Sequence, residues 1–182
     1  MCTLRNFPSQ IEHCIEWGRD LFNKLFVDRP NDAAGFIEKP QAFIGALKQN
    51  TTISGVKDTM EEIKKLIDLK KSAEFSTCVN VAREYFEQLF NHQILNLLHI
   101  FPKDHIDSHG NPFWSGPKRA PDAQWFNPED ELHVHFVTAA ANLLAYTLGI
   151  AQSRDLKNIA HKAATTPTTP FKPKAIKVEV PG

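Results

Sequence analysis

The sequence predicts an all-α, mainly helical fold: a multi-helix bundle around a long central helix, with a Pro/Trp-rich ordered loop and an extended C-terminal tail. Three observations predict it. Apolar residues recur at three- and four-residue spacing through most of the chain. One such stripe, from Phe75 to Phe101, is long enough to touch several neighbouring helices. Strand-like alternation is confined to Ile176, Val178 and Val180.

The elements follow in order. Ile11, Cys14, Ile15, Leu21, Phe22, Leu25 and Phe26 mark one face of a first helix over about Ser9–Val27. Ser9 and Glu12 match a capping box, and Arg29-Pro30 ends the segment by removing a donor. Short helices are expected at Asp32–Glu38 and Gln41–Gln49, the second opened by Pro40. Val56, Met60, Ile63, Leu66 and Ile67 mark another helix, with Glu61, Glu62, Lys64 and Lys65 on its wet side. The long central stripe passes through Cys78, Val79, Ala82, Phe86, Leu89, Phe90, Ile94, Leu97 and Leu98, and Pro102 stops it.

Lys103–Glu131 then breaks the pattern. Prolines 112, 117, 121 and 128 forbid a long regular element, and its Phe and Trp side chains predict a loop anchored onto the bundle. Asn127-Pro128-Glu129-Asp130 reads as a helix start, with Asn127 as cap and Pro128 in the first turn. The helix it opens, Glu131–Leu148, carries Val134, Val137, Ala141, Leu144 and Leu148 inward. Its run Ala139-Ala140-Ala141 permits close helix approach, and Gly149 is the C-terminal cap. A last helix is read over Ser153–Ala164, so the helical unit spans 1–164 and an extended segment spans 165–182, through Thr165-Thr166-Pro167-Thr168-Thr169-Pro170.

Composition excludes several function classes. Lys plus Arg and Asp plus Glu are 21 each, a net charge of +0, which argues against nucleic acid or an anionic membrane as partner. No apolar run approaches the roughly 20 residues of a membrane span, and the start lacks the h-region of a signal peptide. With 42% hydrophobic residues and 13 Phe, the chain has material for a core. Cys2, Cys14 and Cys78 are an odd set without a C-x-x-C pair, which fits free thiols in a reducing compartment and cannot supply a four-thiolate zinc site.

Few residues carry a chemical signature. His105, Asp107 and His109 lack a third element at ligand spacing and read as a solvated turn. His133 and His135, two apart on a helix, point in different directions, so no metal site is expected. Glu61-Glu62 reads as a solvated face. No glycine-rich phosphate loop is present. Lys118 and Arg119, in a proline-bounded loop after Phe113-Trp114, are candidates for contact with an acidic partner or are simply solvated. Cys14 and Cys78 fall on apolar faces and read as buried, inert thiols. Cys2 precedes the first helix beside Thr3, Arg5 and Asn6, where a nearby cation and helix N-terminus favour a thiolate; it is the candidate nucleophile.

Cys2-Thr3-Leu4-Arg5-Asn6-Phe7-Pro8, followed by Ile11-Glu12-His13 and Trp17, resembles the catalytic-cysteine segment of ubiquitin-activating enzymes. Pro112-Phe113-Trp114-Ser115-Gly116-Pro117-Lys118-Arg119, Ala139-Ala140-Ala141-Asn142-Leu143 and Phe171-Lys172-Pro173-Lys174 extend the resemblance in the same order. It implies a second catalytic cysteine half-domain, cut from a larger enzyme, with Met1 reading as an initiator placed before it. Such an enzyme adenylates the ubiquitin C-terminus with ATP and Mg in its adenylation domains, so no cofactor is expected in this domain. It then captures ubiquitin as a thioester and passes it to a ubiquitin-conjugating enzyme.

On the motif, Cys2 is the thioester cysteine, Thr3 and Asn6 lie next to it, and Asn142 is a further supporting candidate. The implied partners are ubiquitin, conjugating enzymes and the adenylation domains of the same chain, and the implied compartments are cytoplasm and nucleus. The isolated chain is expected to lack adenylation activity. The Cys2–Asn6 motif and His13-Cys14-Ile15 also resemble the catalytic subunit of the SUMO-activating enzyme. Two readings from other classes compete: a non-catalytic helical interaction module, and a cysteine hydrolase pairing Cys2 with one of the 8 histidines.

Overall fold

The computed structural model describes residues 10–72, 74–116 and 118–174. Among them the chain is helical and no strand forms beyond an isolated antiparallel bridge between Ile106 and Pro112. The helices are α1 (Ile11–Asn23), α2 (Arg29–Glu38), α3 (Pro40–Asn50), α4 (Ile53–Lys71), α5 (Phe75–Phe86), α6 (Gln93–Ile100), α7 (Glu131–Leu148) and α8 (Leu156–Thr165).

The central helix is α5 and α6 joined without a break by a π turn, Glu87–His92, so helical structure runs from Phe75 to Ile100 as the stripe predicts. The π turn itself has no signature in the apolar pattern. Within it the Gln93 N–H donates to the Gln88 carbonyl, five residues back. The Phe90 carbonyl, in the same turn, accepts from the Gln124 N–H at 2.8 Å, while Asn91 Nδ2 donates to the Gln124 carbonyl at 2.9 Å. The connecting loop thus docks by its backbone onto the widened turn.

The core lies where α5, α7 and α8 meet. Cys78, Val79, Ala82 and Phe86 of α5 pack on Val137, Ala140, Ala141, Leu144, Ala145 and Leu148 of α7, with Ile159 and Ala163 of α8 closing the third side. The alanines bring the helix axes close, as the Ala-Ala-Ala run predicts. Phe86 adds rings: Phe90, Phe126, Phe136 and His133 lie with centroids 5.2, 5.4, 6.0 and 4.7 Å away. These are tilted or edge-on contacts, the geometry the ring quadrupole favours.

Several expectations are corrected. Pro30 does not end the first helix: a second π turn, Lys24–Asp28, carries the chain from α1 directly into α2, with Pro30 in the first turn of α2. The Arg29 N–H reaches back five residues to Lys24, and this widened turn accommodates a ring that an ideal α-helix would exclude. The cap of α7 is Asp130, not Asn127. The Asp130 carboxylate accepts from the N–H groups of Leu132 and His133, while Asn127 holds the preceding turn through the Glu129 N–H. At α8 the cap is Asp155, so Ser153 and Arg154 precede the helix. Ser9 of the expected capping box lies outside the described residues, and Gln10 at the N-cap of α1 makes no side-chain capping bond.

The predicted first apolar face is buried only beyond α1 itself. Leu25, in the π turn that follows, is buried, whereas Ile11 is 67% and Ile15 64% exposed, and Cys14 is exposed with them, against the expectation of burial. Periodicity marks an apolar face without saying whether anything covers it. Glu62 is likewise not merely solvated: it pairs with Arg29 at 3.0 Å and ties α4 to the start of α2.

The proline-rich loop is anchored as expected, through particular rings. Phe113 is buried and stacks on Phe101 (4.3 Å, 5°), and Trp114 Nε1 donates to the Phe101 and Pro102 carbonyls at 3.1 and 3.0 Å. Trp125 is the exception at 69% exposed, while its neighbour Phe126 packs on Phe86.

Beyond α8 the chain is extended and lies along the central helix in the same direction. Thr166 Oγ1 donates to Asn80 Oδ1 (2.8 Å), and the Thr169 N–H to Glu84 Oε2 (3.0 Å). The Phe171 ring meets His92 (5.5 Å), and the Lys174 N–H donates to Asn96 Oδ1 (2.9 Å). Residues 80 to 96 rise about 24 Å as helix, and eight extended residues at about 3.3 Å each cover the same distance. The two ends of the strap therefore reach the two ends of this stretch of helix. The alternating segment at Ile176, Val178 and Val180 lies outside the described residues.

Candidate functional site

Cys2, Thr3 and Asn6 lie outside the described residues. Asn142 sits half-buried on α7 with every side-chain polar atom engaged. Its Nδ2 donates to the Thr138 and Ser153 carbonyls (2.8 and 2.7 Å), and its Oδ1 accepts from the Ser153 N–H (3.0 Å). The amide therefore pairs reciprocally with one backbone unit and fixes the α7–α8 connection. Gln152 adds to it by donating to the Asn142 carbonyl at 3.0 Å. That geometry gives Asn142 a positioning job in the described structure.

Lys118 and Arg119 are held where the loop meets the aromatic anchor. The Lys118 N–H donates to the Ser115 carbonyl at 3.1 Å, and its ammonium lies 5.1 Å from the centre of the Phe113 ring. A cation over a ring face is attracted by the ring quadrupole. Arg119 is exposed.

The histidines considered as metal ligands fall where the fold uses or exposes them. His105 packs edge-on against Phe101 and Phe113. The Asp107 carboxylate accepts from the N–H groups of His109 and Asn111 (2.8 and 2.9 Å), and the bond from Asn111 above all holds it below its ordinary carboxylate pKa. His133 Nδ1 accepts from the Asn127 N–H at 3.1 Å, so the ring proton of the neutral form sits on Nε2, 3.8 Å from Asp130. His135 is exposed on the other side of α7, as the two-residue offset predicts. Among the described residues no group of three or more His, Cys, Asp or Glu could hold a metal ion.

Cys78 is fully buried, and burial raises its thiol pKa, which leaves it an inert apolar group as expected. Cys14 is the accessible thiol among the described residues.

Three features carry no obvious mark in the sequence. A groove of about 1140 Å³ runs between α1, α4 and the central helix, lined in part by Trp17, Leu21, Leu66 and Leu89 and by the Arg29–Glu62 pair. Tyr85 opens onto it, and burial raises its phenol pKa against the opposing charge of Arg29. On the central helix, Arg83 and Glu87 form an almost buried ion pair at 2.7 Å, with the guanidinium 4.9 Å from the Phe126 ring and His92 3.8 Å from the carboxylate. Finally, the strap is held by Asn80, Glu84, His92 and Asn96. They stand among other polar residues of the same helix, Arg83, Glu87, Gln88, Asn91 and Gln93, so their spacing alone does not single them out.

Comparison with known proteins gives a consistent answer. The family model described as "Ubiquitin-activating enzyme, SCCH domain" matches residues 8–180. The chain is 38% identical over 179 residues to ubiquitin-like modifier-activating enzyme 1 of Dictyostelium discoideum, covering 98% of this chain and 17% of that protein. It is 38% identical over 181 residues to ubiquitin-activating enzyme E1 1 of Schizosaccharomyces pombe (99% and 18%). It is 33% identical over 183 residues to ubiquitin-like modifier-activating enzyme 1 of Homo sapiens (99% and 17%). The chain thus spans about a sixth of the length of these relatives. A helical bundle with the family's motifs in order, matched along nearly its whole length, belongs to the SCCH-domain family of ubiquitin-activating enzymes.

Proposed function

We propose that this chain is the thioester-forming half-domain of a ubiquitin-activating enzyme, with Cys2 as the acceptor. The observation that carries the reading is the family match over residues 8–180, joined to the cysteine motif Cys2-Thr3-Leu4-Arg5-Asn6-Phe7-Pro8 that leads into it. The modifier is ubiquitin, as the names of the relatives support. Residues 1–164 form the helical unit, and 165–182 lead back toward the rest of the enzyme.

The chemistry asks little of the domain beyond a placed thiolate. Adenylation domains elsewhere in the parent chain convert the ubiquitin carboxylate to an acyl adenylate with ATP and Mg. The Cys2 thiolate attacks the acyl carbon, a C–S bond forms, and AMP leaves with the electrons of the C–O bond. Because the acyl group arrives activated, no Cys–His–Asn triad is needed. Thr3 and Asn6 flank the nucleophile in sequence and supply hydrogen bonds near the developing oxyanion. A conjugating enzyme then takes the acyl group by thiol exchange at the same carbon. The parent enzyme works in cytoplasm and nucleus, where thiols stay reduced.

The test places this segment in its parent chain with ATP, Mg and ubiquitin. Wild type forms a ubiquitin adduct that reductant removes, and Cys2→Ala forms none while still making adenylate. An undiminished adduct in Cys2→Ala would favour the competing reading, a non-catalytic helical module.

A further inference from the structure

We propose that Thr169 is a phosphorylation site for a proline-directed protein kinase, and that phosphate there releases the C-terminal strap from the central helix. The inference is independent of the thioester reading.

Thr169-Pro170-Phe171-Lys172 places proline directly after the hydroxyl residue and a cation three residues on. A kinase whose substrate groove leaves the next backbone N–H without a partner selects proline there, because proline has no N–H to strand. A cation at the third following position matches an acidic surface beside such a groove. Kinase grooves take substrate as extended chain, and residues 167–174 have no helix or strand to unfold first. Thr169, Pro170 and Lys172 are all exposed.

The neighbouring Thr166-Pro167 shares only half of this. Thr166 is half-buried, its hydroxyl lies 2.8 Å from both Asn80 Oδ1 and the Lys162 carbonyl, and its third following residue is Thr169 rather than a cation.

The consequence follows from what Thr169 touches. Its N–H donates to the Glu84 carboxylate at 3.0 Å and its exposed hydroxyl also hydrogen-bonds that carboxylate, the ionic link in a strap otherwise held by neutral groups at Asn80 and Asn96 and by the His92 ring. Kinase and ATP would transfer the γ-phosphoryl group to Thr169 Oγ. One O–P bond forms, the bond from the γ-phosphorus to the bridging oxygen breaks, ADP leaves, and the hydroxyl proton passes to the kinase base. The product carries about −1.5 to −2 charge at neutral pH, set against an ionised carboxylate it now repels. Displacing Thr169 also pulls on Phe171 and Lys174, which follow it along the same helix.

The experiment incubates the chain with a cyclin-dependent kinase and ATP, maps phosphate by peptide mass spectrometry, and follows amide hydrogen exchange. The expected result is one phosphate on Thr169, lost in Pro170→Ala and slowed in Lys172→Ala. Exchange at the amides of residues 169–174 then rises by about tenfold or more, as local release demands. In Glu84→Gln, phosphorylation changes that exchange far less. No incorporation, or phosphate on Thr166 instead, would overturn the site. Unchanged or slower exchange after phosphorylation, or the same rise in Glu84→Gln, would overturn the release.

Discussion

Phe86 shows how much of this molecule rests on single side chains. It is 2% exposed and touches rings from α5–α6, the connecting loop and α7. Phe86→Ala removes the transfer energy of the ring and leaves a cavity its neighbours only partly fill, which costs about 3–5 kcal/mol; urea unfolding reads it as a lower midpoint. Glu84 makes a pH-dependent contribution. Burial opposes its ionisation, but hydrogen bonds from the Thr169 backbone and from Gln88 outweigh it, so its pKa lies below the ordinary value. A depressed pKa stabilises the fold at pH above the unfolded carboxylate value of about 4.3 and stops doing so as pH falls through the folded one. Acidification below the unfolded carboxylate value therefore loosens the strap, as hydrogen exchange at 169–174 will show, and Glu84→Gln flattens the dependence. Asn142→Ala leaves the Ser153 backbone unpaired and lowers stability by about 1–3 kcal/mol.

At the scale of elements, two glycines separate propensity from geometry. A Cβ at Gly18, in the middle of α1, would meet nothing within 4 Å, so Gly18→Ala stabilises by roughly 0.5–1 kcal/mol. Gly149 ends α7 with φ +74°, a left-handed conformation that costs an L residue roughly 1–2 kcal/mol, so Gly149→Ala destabilises. Thermal unfolding of both variants gives shifts of opposite sign. The Gly149 cap, the Glu131–Leu148 span and the Pro102 stop were all legible, because each rests on a local backbone rule. The π turns were not, since the apolar pattern carries no sign of one extra residue per turn. Cap choice between Asn127 and Asp130 was also beyond local reading. Both residue types cap well, and what decides is that Asn127 is spent on the Glu129 turn.

Over the whole molecule, the sequence names a bundle and the structure supplies its order: α7 and α8 clamp α5, and an extended strap runs the length of the central helix. The sequence predicts the strap as extended but not as docked, because its own backbone N–H groups bond isolated polar side chains of the helix, which periodicity does not record. The exposed end of α1 has the same origin: Ile11, Cys14 and Ile15 form an apolar face that nothing in the described structure buries. Cys14 is then the natural rival to Cys2 for any thiol chemistry, and the most direct test of the central claim sets them against each other. In the parent enzyme with ATP, Mg and ubiquitin, Cys2→Ser should replace the thioester with an oxyester. That adduct survives reductant and is cleaved by alkali, while Cys14→Ser still forms a reductant-labile adduct. A reductant-labile adduct that persists in Cys2→Ser would contradict the account and place the thioester on another cysteine.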